Sequence, residues 1–171
     1  MLLLIEDLYW RLEMKVKKII DAIYLILLGA SIGGVLTLGI IMTSTIFRSE
    51  LYIGDVLSLY QEGRLMAQGF DKFSYFLGFM AIVIMSYEMY SYKILQRDNI
   101  VLASTFIALS SIGLFIGVYT PKILALQEKG VEATEGIEFQ NLHLGSELDF
   151  KVLVGALIVL MFRRLYVLLT K

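Results

Sequence analysis

Residues 139–150 read FQNLHLGSELDF and hold the only histidine of the chain, His143, with Ser146 three positions later and Glu147 four later. On a helix, Phe139, His143, Ser146, Glu147 and Phe150 share one face. An imidazole next to a hydroxyl and a carboxylate can bind a ligand or an ion, or it can hydrogen-bond neighbouring helices and fix their packing. Hydrolysis fits poorly. A serine and a histidine at i, i+3 do not align a nucleophile with its base, and no G-x-S-x-G elbow occurs. One histidine cannot supply bis-histidine haem ligation or a three-histidine zinc site. The absence of cysteine removes disulfides, thiolate metal sites and iron–sulfur clusters. Glu132, Glu135 and Glu138 recur every third residue but lack the calcium-loop pattern, and read as a solvated acidic loop. No cofactor is expected.

A second set of charges lies inside apolar sequence. Glu88 falls within one apolar run, and Arg163 and Arg164 interrupt another. An unpaired charge in a membrane costs a few kcal/mol on insertion scales, so Glu88 is expected to pair with Arg163 or Arg164, with a proton or ion relay as the alternative. Met80, Met85 and Met89 follow helical spacing. Thioethers bind soft copper(I), so Met85, Met89 and His143 are the metal candidates, but methionines at helical spacing more often fill packing gaps.

The elements that position these residues follow from composition. The chain has 171 residues, 58% hydrophobic and only 18% charged, against about a quarter charged in a soluble domain. Four apolar runs, about Ile19 to Phe47, Phe73 to Leu95, Ile100 to Tyr119 and Leu148 to Leu169, are each long enough to cross a bilayer. Backbone in lipid must satisfy its own hydrogen bonds, and continuous rather than alternating apolar runs argue against a barrel. The expected fold is all-α, a polytopic membrane protein with a four-transmembrane-helix bundle in a single domain over residues 19–171. Residues 1–18 place Leu2, Ile5, Leu8, Leu12 and Val16 on one face, which suits an amphipathic helix on the membrane surface with Trp10 at headgroup level. Translation from Met14 is the alternative. The stretch 48–72 reads as a short surface helix or as an extension of the second span.

Lysine and arginine counts set the orientation. Arg11, Lys15, Lys17, Lys18, Lys93, Arg97, Arg163, Arg164 and Lys171 flank one side, and Arg48, Arg64, Lys72, Lys122, Lys129 and Lys151 the other. Nine against six places both termini in the cytoplasm. With this crossing pattern Arg48, Arg64, Asp71, Lys122, His143, Ser146 and Glu147 reach a common level at the outer end, where a vestibule of mixed charge is expected. Gly29/Gly33 and Gly113/Gly117 form small-xxx-small pairs that suit close helix packing within one monomer, or a homo-oligomer contact. The formal net charge of −1 gives no reason to expect nucleic acid. The partner is the lipid bilayer.

Four segments together resemble a family. LLGASIGGVLTLGIIMTSTIF followed by Arg48, EGRLMAQGFDKFSYF, YTPKILAL and FQNLHLGSELDF are similar, in order, to motifs of small four-span bacterial membrane proteins carrying a domain of unknown function, whose eukaryotic relatives include transmembrane protein 205. Ser44 stands where the family has proline, and Asp149 where it has asparagine. The resemblance implies a structural or ligand-binding role for Arg48, Arg64, Phe70, Pro121, His143 and Ser146. It also implies a link to metal-drug tolerance and an architecture similar to copper-resistance membrane proteins of the D type.

These observations point to a non-enzymatic protein of the bacterial inner membrane with a polar structural or ligand-binding cluster at the outer end of the bundle. The alternative is a transporter or an export or tolerance subunit for a metal ion or small cation. An enzyme acting on lipid would need a convergent acid–base pair, which the sequence does not offer.

Overall fold

The computed structural model describes residues 2–94 and 97–170, the side chains of residues 2–11 and 13 excepted. α1 (Leu2–Leu36) runs unbroken through residue 18. The boundary expected there between a surface helix and the first span is therefore not an element boundary, and the amphipathic face assigned to residues 1–18 rests largely on side chains outside the described residues. The helix then widens into a π segment over Thr37–Met42 and closes with α2 (Thr43–Ile46). The Thr43 hydroxyl donates to the carbonyl of Leu38, five residues back, at 2.9 Å, as a widened turn permits.

A short α3 (Glu50–Ile53) and Gly54, in the left-handed region at φ 74°, reverse the chain. α4 (Leu59–Lys93) begins about four turns before Phe73, so the stretch ahead of the second span is an extension of that span. Its start is fixed by a capping box. Ser58 Oγ accepts from the Gln61 amide at 3.3 Å and Gln61 Oε1 accepts from the Ser58 amide at 2.8 Å.

α5 (Asn99–Leu114) is capped by Asp98, whose carboxylate accepts from the amides of Ile100 and Val101 at 3.0 Å each. A second π segment, Phe115–Tyr119, precedes α6 (Thr120–Glu128). Pro121 has no amide hydrogen to give the preceding turn and crowds the carbonyl four residues back, which accounts for the widening just before it. α7 (Val131–Glu135) leads into α8 (Ile137–Leu169), which starts well before the expected Leu148.

Met14–Ile46, Leu59–Lys93, Asn99–Glu128 and Ile137–Leu169 are four helical stretches long and apolar enough to cross a membrane. Their outward faces expose Ile26, Tyr75, Ile82 and Phe106, each by two-thirds or more. A soluble monomer does not display apolar surface on that scale. The chain is an all-α, multi-pass membrane protein.

α5 packs most extensively against α8, then α1 against α8 and α4 against α5. Tyr24, Leu28, Leu77, Met80, Ile84, Ala108, Ile112, Leu153, Leu157 and Leu160 form the centre. The glycine pairs do not serve this packing. A Cβ on Gly33, Gly113 or Gly117 would meet nothing within 4 Å, and one on Gly29 only the Met161 sulfur at 3.9 Å. The close approaches occur at other glycines, Gly34 against Phe73 and Gly145 against Tyr119, where a Cβ would sit 2.7 Å and 2.9 Å from the ring.

Candidate functional site: a cavity at one end of the bundle and a charge network at the other

α1, α4 and α8 bring a buried polar network together at one end. Arg164 Nε donates to Glu88 Oε1 at 3.1 Å, and Arg164 Nη2 to Glu88 Oε2. The Tyr24 hydroxyl donates to the same Oε1 at 2.8 Å, and the Tyr87 hydroxyl to Asp21 Oδ1 at 2.7 Å. The two tyrosine rings stack at 3.8 Å, and the Arg164 guanidinium lies over Tyr87 at 5.4 Å. Arg164 is 1% exposed and Glu88 8%. Glu88 therefore pairs with Arg164. Successive helical residues point about 100° apart, so only one of the two arginines can face the core.

Arg163 instead turns to Asp98, with Nε and Nη2 donating to Oδ2 at 3.0 Å and 2.8 Å. That guanidinium, helped by the amides of Val101 and Ile100, holds the Asp98 carboxyl below the usual carboxylate range against the opposing effect of burial.

The opposite end is open. A cavity of about 870 Å³ lies between α1, α4, α6 and α8. Its floor is apolar, formed by Val35, Met66, Phe70, Phe115 and Phe150. The last three rings contact one another edge-on or tilted at 5.1–5.8 Å. Its upper wall carries Tyr60, Thr120, Gln127, Thr134, His143 and Ser146. Both π segments contribute to the wall, through Gly39 and Ile40 and through Phe115 and Tyr119. Thr120 is 7% exposed, and its hydroxyl has no hydrogen-bond partner. A buried hydroxyl normally finds one.

Of the polar residues expected to share this end, His143, Ser146 and Glu147 line the cavity, as do Phe70, Phe139 and Phe150. His143 is exposed, with its ring stacked on Phe139 at 6.1 Å. The Ser146 hydroxyl donates to the His143 carbonyl at 2.8 Å, and Glu147 accepts from Lys151 at 2.6 Å. Arg48, Arg64, Asp71 and Lys122 do not line it. Arg64 lies over the Tyr60 ring at 5.8 Å, and Asp71 gives its carbonyl to Ser74. Reaching the same level of the bundle does not aim a side chain at the same space. Asp149 is half-buried, with Ser111 as its hydrogen-bonding neighbour and an Oδ2 that has no partner.

Met80 is fully buried, whereas Met85 and Met89 are each 54% exposed at the Glu88 end, away from His143. Among the described residues no three histidine or carboxylate side chains converge as a metal ligand set.

Three features escaped the sequence reading. Glu62 is buried and accepts from Ser49 Oγ at 2.6 Å, tying the connector to the first turn of α4, where the helix dipole favours a carboxylate. The Tyr60 hydroxyl donates to the Gln127 carbonyl at 2.6 Å, closing α4 onto α6. Thr120 is the third. The pattern Ser58-x-x-Gln61 was a usable signal for the start of α4, and thus for Tyr60 and Glu62 being helical.

A family model described as "Domain of unknown function (DUF4149)" matches residues 26–132, more than half of the chain, and the chain belongs to that family. The matched residues include Glu62, Glu88, Asp98 and Thr120 and end before α8, so His143, Ser146, Arg163 and Arg164 lie beyond them. No curated protein and no solved structure matches the chain.

Proposed function

For a member of a family defined by a domain of unknown function, we propose a non-enzymatic role: binding of an amphiphilic small molecule in the cavity at the His143 end. The observation that carries this is a cavity of about 870 Å³ whose floor is aromatic and whose wall holds Gln127, His143 and Ser146, with the buried, unpartnered Thr120 hydroxyl beside it. That volume lies in the range of small-molecule sites, which are mostly apolar with a few placed polar groups. The ligand presents an apolar body to Phe70, Phe115 and Phe150 and a hydrogen-bonding head to Gln127 and the His143–Ser146 turn, and Thr120, turned about its Cα–Cβ bond, joins them. The lysine and arginine count supports both termini being cytoplasmic, and the bacterial inner membrane belongs to the same proposal through the family resemblance. The likeness to transmembrane protein 205 belongs to the same proposal. So does a homo-oligomer through Gly29/Gly33 or Gly113/Gly117, where a Cβ on Gly33, Gly113 or Gly117 would meet none of the chain's own atoms within 4 Å.

The test is extraction of purified full-length protein followed by mass spectrometry of what it retains. One amphiphile is expected at near-stoichiometric yield. It should fall several-fold in Thr120→Val and in Gly63→Leu, which fills the cavity. Equal recovery from wild type and both variants overturns the proposal. The alternative, transport of a metal ion or small cation, needs a polar route from Glu88 to His143. Glu88 is already held by Arg164 and Tyr24. Copper or another cation moving in liposomes that hold the protein, and no longer moving with Glu88→Gln, would revive it.

A further inference from the structure

A separate groove of about 400 Å³ opens at the Glu88 end between α4 and α5. Met85, Met89, Leu102 and Phe106 form its walls, and each is more than half exposed toward the surrounding lipid. Lys93 stands at its mouth, and Arg97 lies over the Tyr92 ring at 4.8 Å beside it. Among the described residues neither Lys93 nor Arg97 meets a carboxylate. The carboxylates nearby are taken, Glu88 by Arg164 and Asp98 by Arg163. Lys93 and Arg97 therefore leave two cations at the mouth with no carboxylate partner among the described residues. Deeper in the groove Thr105 is 8% exposed, and its hydroxyl has no hydrogen-bond partner. It lies seven residues beyond Asp98 on α5, about 10 Å down the helix.

We propose that this groove is a binding site for an anionic phospholipid. One acyl chain lies along Met85, Met89 and Phe106. The phosphate sits between Lys93 and Arg97. With the Thr105 side chain turned about its Cα–Cβ bond toward the groove, an ester carbonyl below the phosphate accepts the hydrogen bond that its hydroxyl otherwise lacks. Basic residues at the membrane end of an interhelical pocket are a recognised way to hold an acidic headgroup. Charge complementarity selects the headgroup and the hydroxyl sets the depth. The site does not depend on the cavity at the other end being occupied.

The test uses full-length protein in nanodiscs containing phosphatidylglycerol or phosphatidylcholine with a photoreactive acyl chain, with labelled residues mapped by mass spectrometry. Phosphatidylglycerol is expected to label the segments around Met85–Met89 and Leu102–Phe106, and phosphatidylcholine to label them weakly. Lys93→Gln with Arg97→Gln should cut the phosphatidylglycerol labelling roughly tenfold. Both residues are exposed, so the fold is retained. Thr105→Val should reduce labelling by the ester lipid severalfold and leave an ether-linked phosphatidylglycerol unaffected. Equal labelling by the two headgroups, or a double variant that labels like wild type, overturns the proposal and leaves only unspecific annular lipid. Loss with Thr105→Val that is the same for ester and ether lipids overturns the assigned depth.

Discussion

At the Glu88 end, the carboxylates of Glu88, Asp21 and Asp98 each meet a guanidinium or a phenol from another helix. At the His143 end, Ser146 and Glu147 bond within their own helix, and the wall they share with His143 borders a cavity. The first arrangement ties four helical stretches together. Arg164 links α8 to α4, Tyr24 links α1 to α4, and Arg163 links α8 to the cap of α5. The second leaves polar groups facing space. Polar residues at a membrane end thus divide into those that hold the bundle shut and those available to something else. Cross-helix bonding, rather than residue type, tells the two apart.

Removing Arg164 is the most severe way to break this contrast. Arg164→Met leaves Glu88 buried with only Tyr24, and about 3–5 kcal/mol of stability is expected to be lost. Thermal unfolding in detergent reads the effect, and pairing it with Glu88→Gln should recover a large part. A melting temperature unchanged in Arg164→Met would mean that the network does not hold the bundle.

Next comes Gly34→Ala, whose Cβ would meet the Phe73 ring at 2.7 Å. A cost of about 1–3 kcal/mol is expected from overpacking. Gly33→Ala beside it meets open space and should cost far less. The pair separates packing glycines from bystanders by one position.

Asp98→Ala is milder, about 1 kcal/mol from the lost helix cap, since the Arg163 pair is partly solvated. Because the folded state holds the Asp98 carboxyl below its unfolded range, its contribution is complete above about pH 4 and disappears as pH falls through the folded value. Melting followed from pH 6 down to pH 2 should show an acid-side loss that is smaller in Asp98→Asn.

His143→Ala should change stability least, within about 0.5 kcal/mol, because its exposed ring stacks only on Phe139. A large destabilisation would move His143 into the structural class and sharpen the division of the two ends.

The four spans were legible because lipid imposes long unbroken apolar runs that no soluble helix needs. Their true lengths were not. α4 and α8 continue through QEGRLMAQGFDK and IEFQNLHLGSE, polar enough to look like loops yet helical, the first behind a capping box and the second with no side-chain cap. Pairing of Glu88 with one of two adjacent arginines could be anticipated from cost alone. Choosing between them needed the rotation of α8, and the Asp98–Arg163 pair spans 65 residues of sequence with no local sign. The wall of the cavity was partly legible, through His143, Ser146 and Glu147. Topology sets an expected level for Arg48, Arg64 and Lys122 but not their direction around each helix, and none of the three lines the cavity. The cavity itself could not be read, because it depends on two π segments, and only the one before Pro121 has a visible cause.

The widened turn at Thr37–Met42 makes the cavity wall sensitive to chain length as well as to chemistry. Excising a single residue there would let the segment wind back to ordinary pitch, drawing in the bulged turn at Gly39 and Ile40 while Thr43 and Phe47 beyond it and Tyr24 and Leu28 before it kept their directions. One codon in that hexapeptide therefore sets the bulge in the wall without turning the helix beyond it. A homologue one residue shorter in this stretch would keep the same bundle and the same ion pairs, with a differently shaped chamber above them.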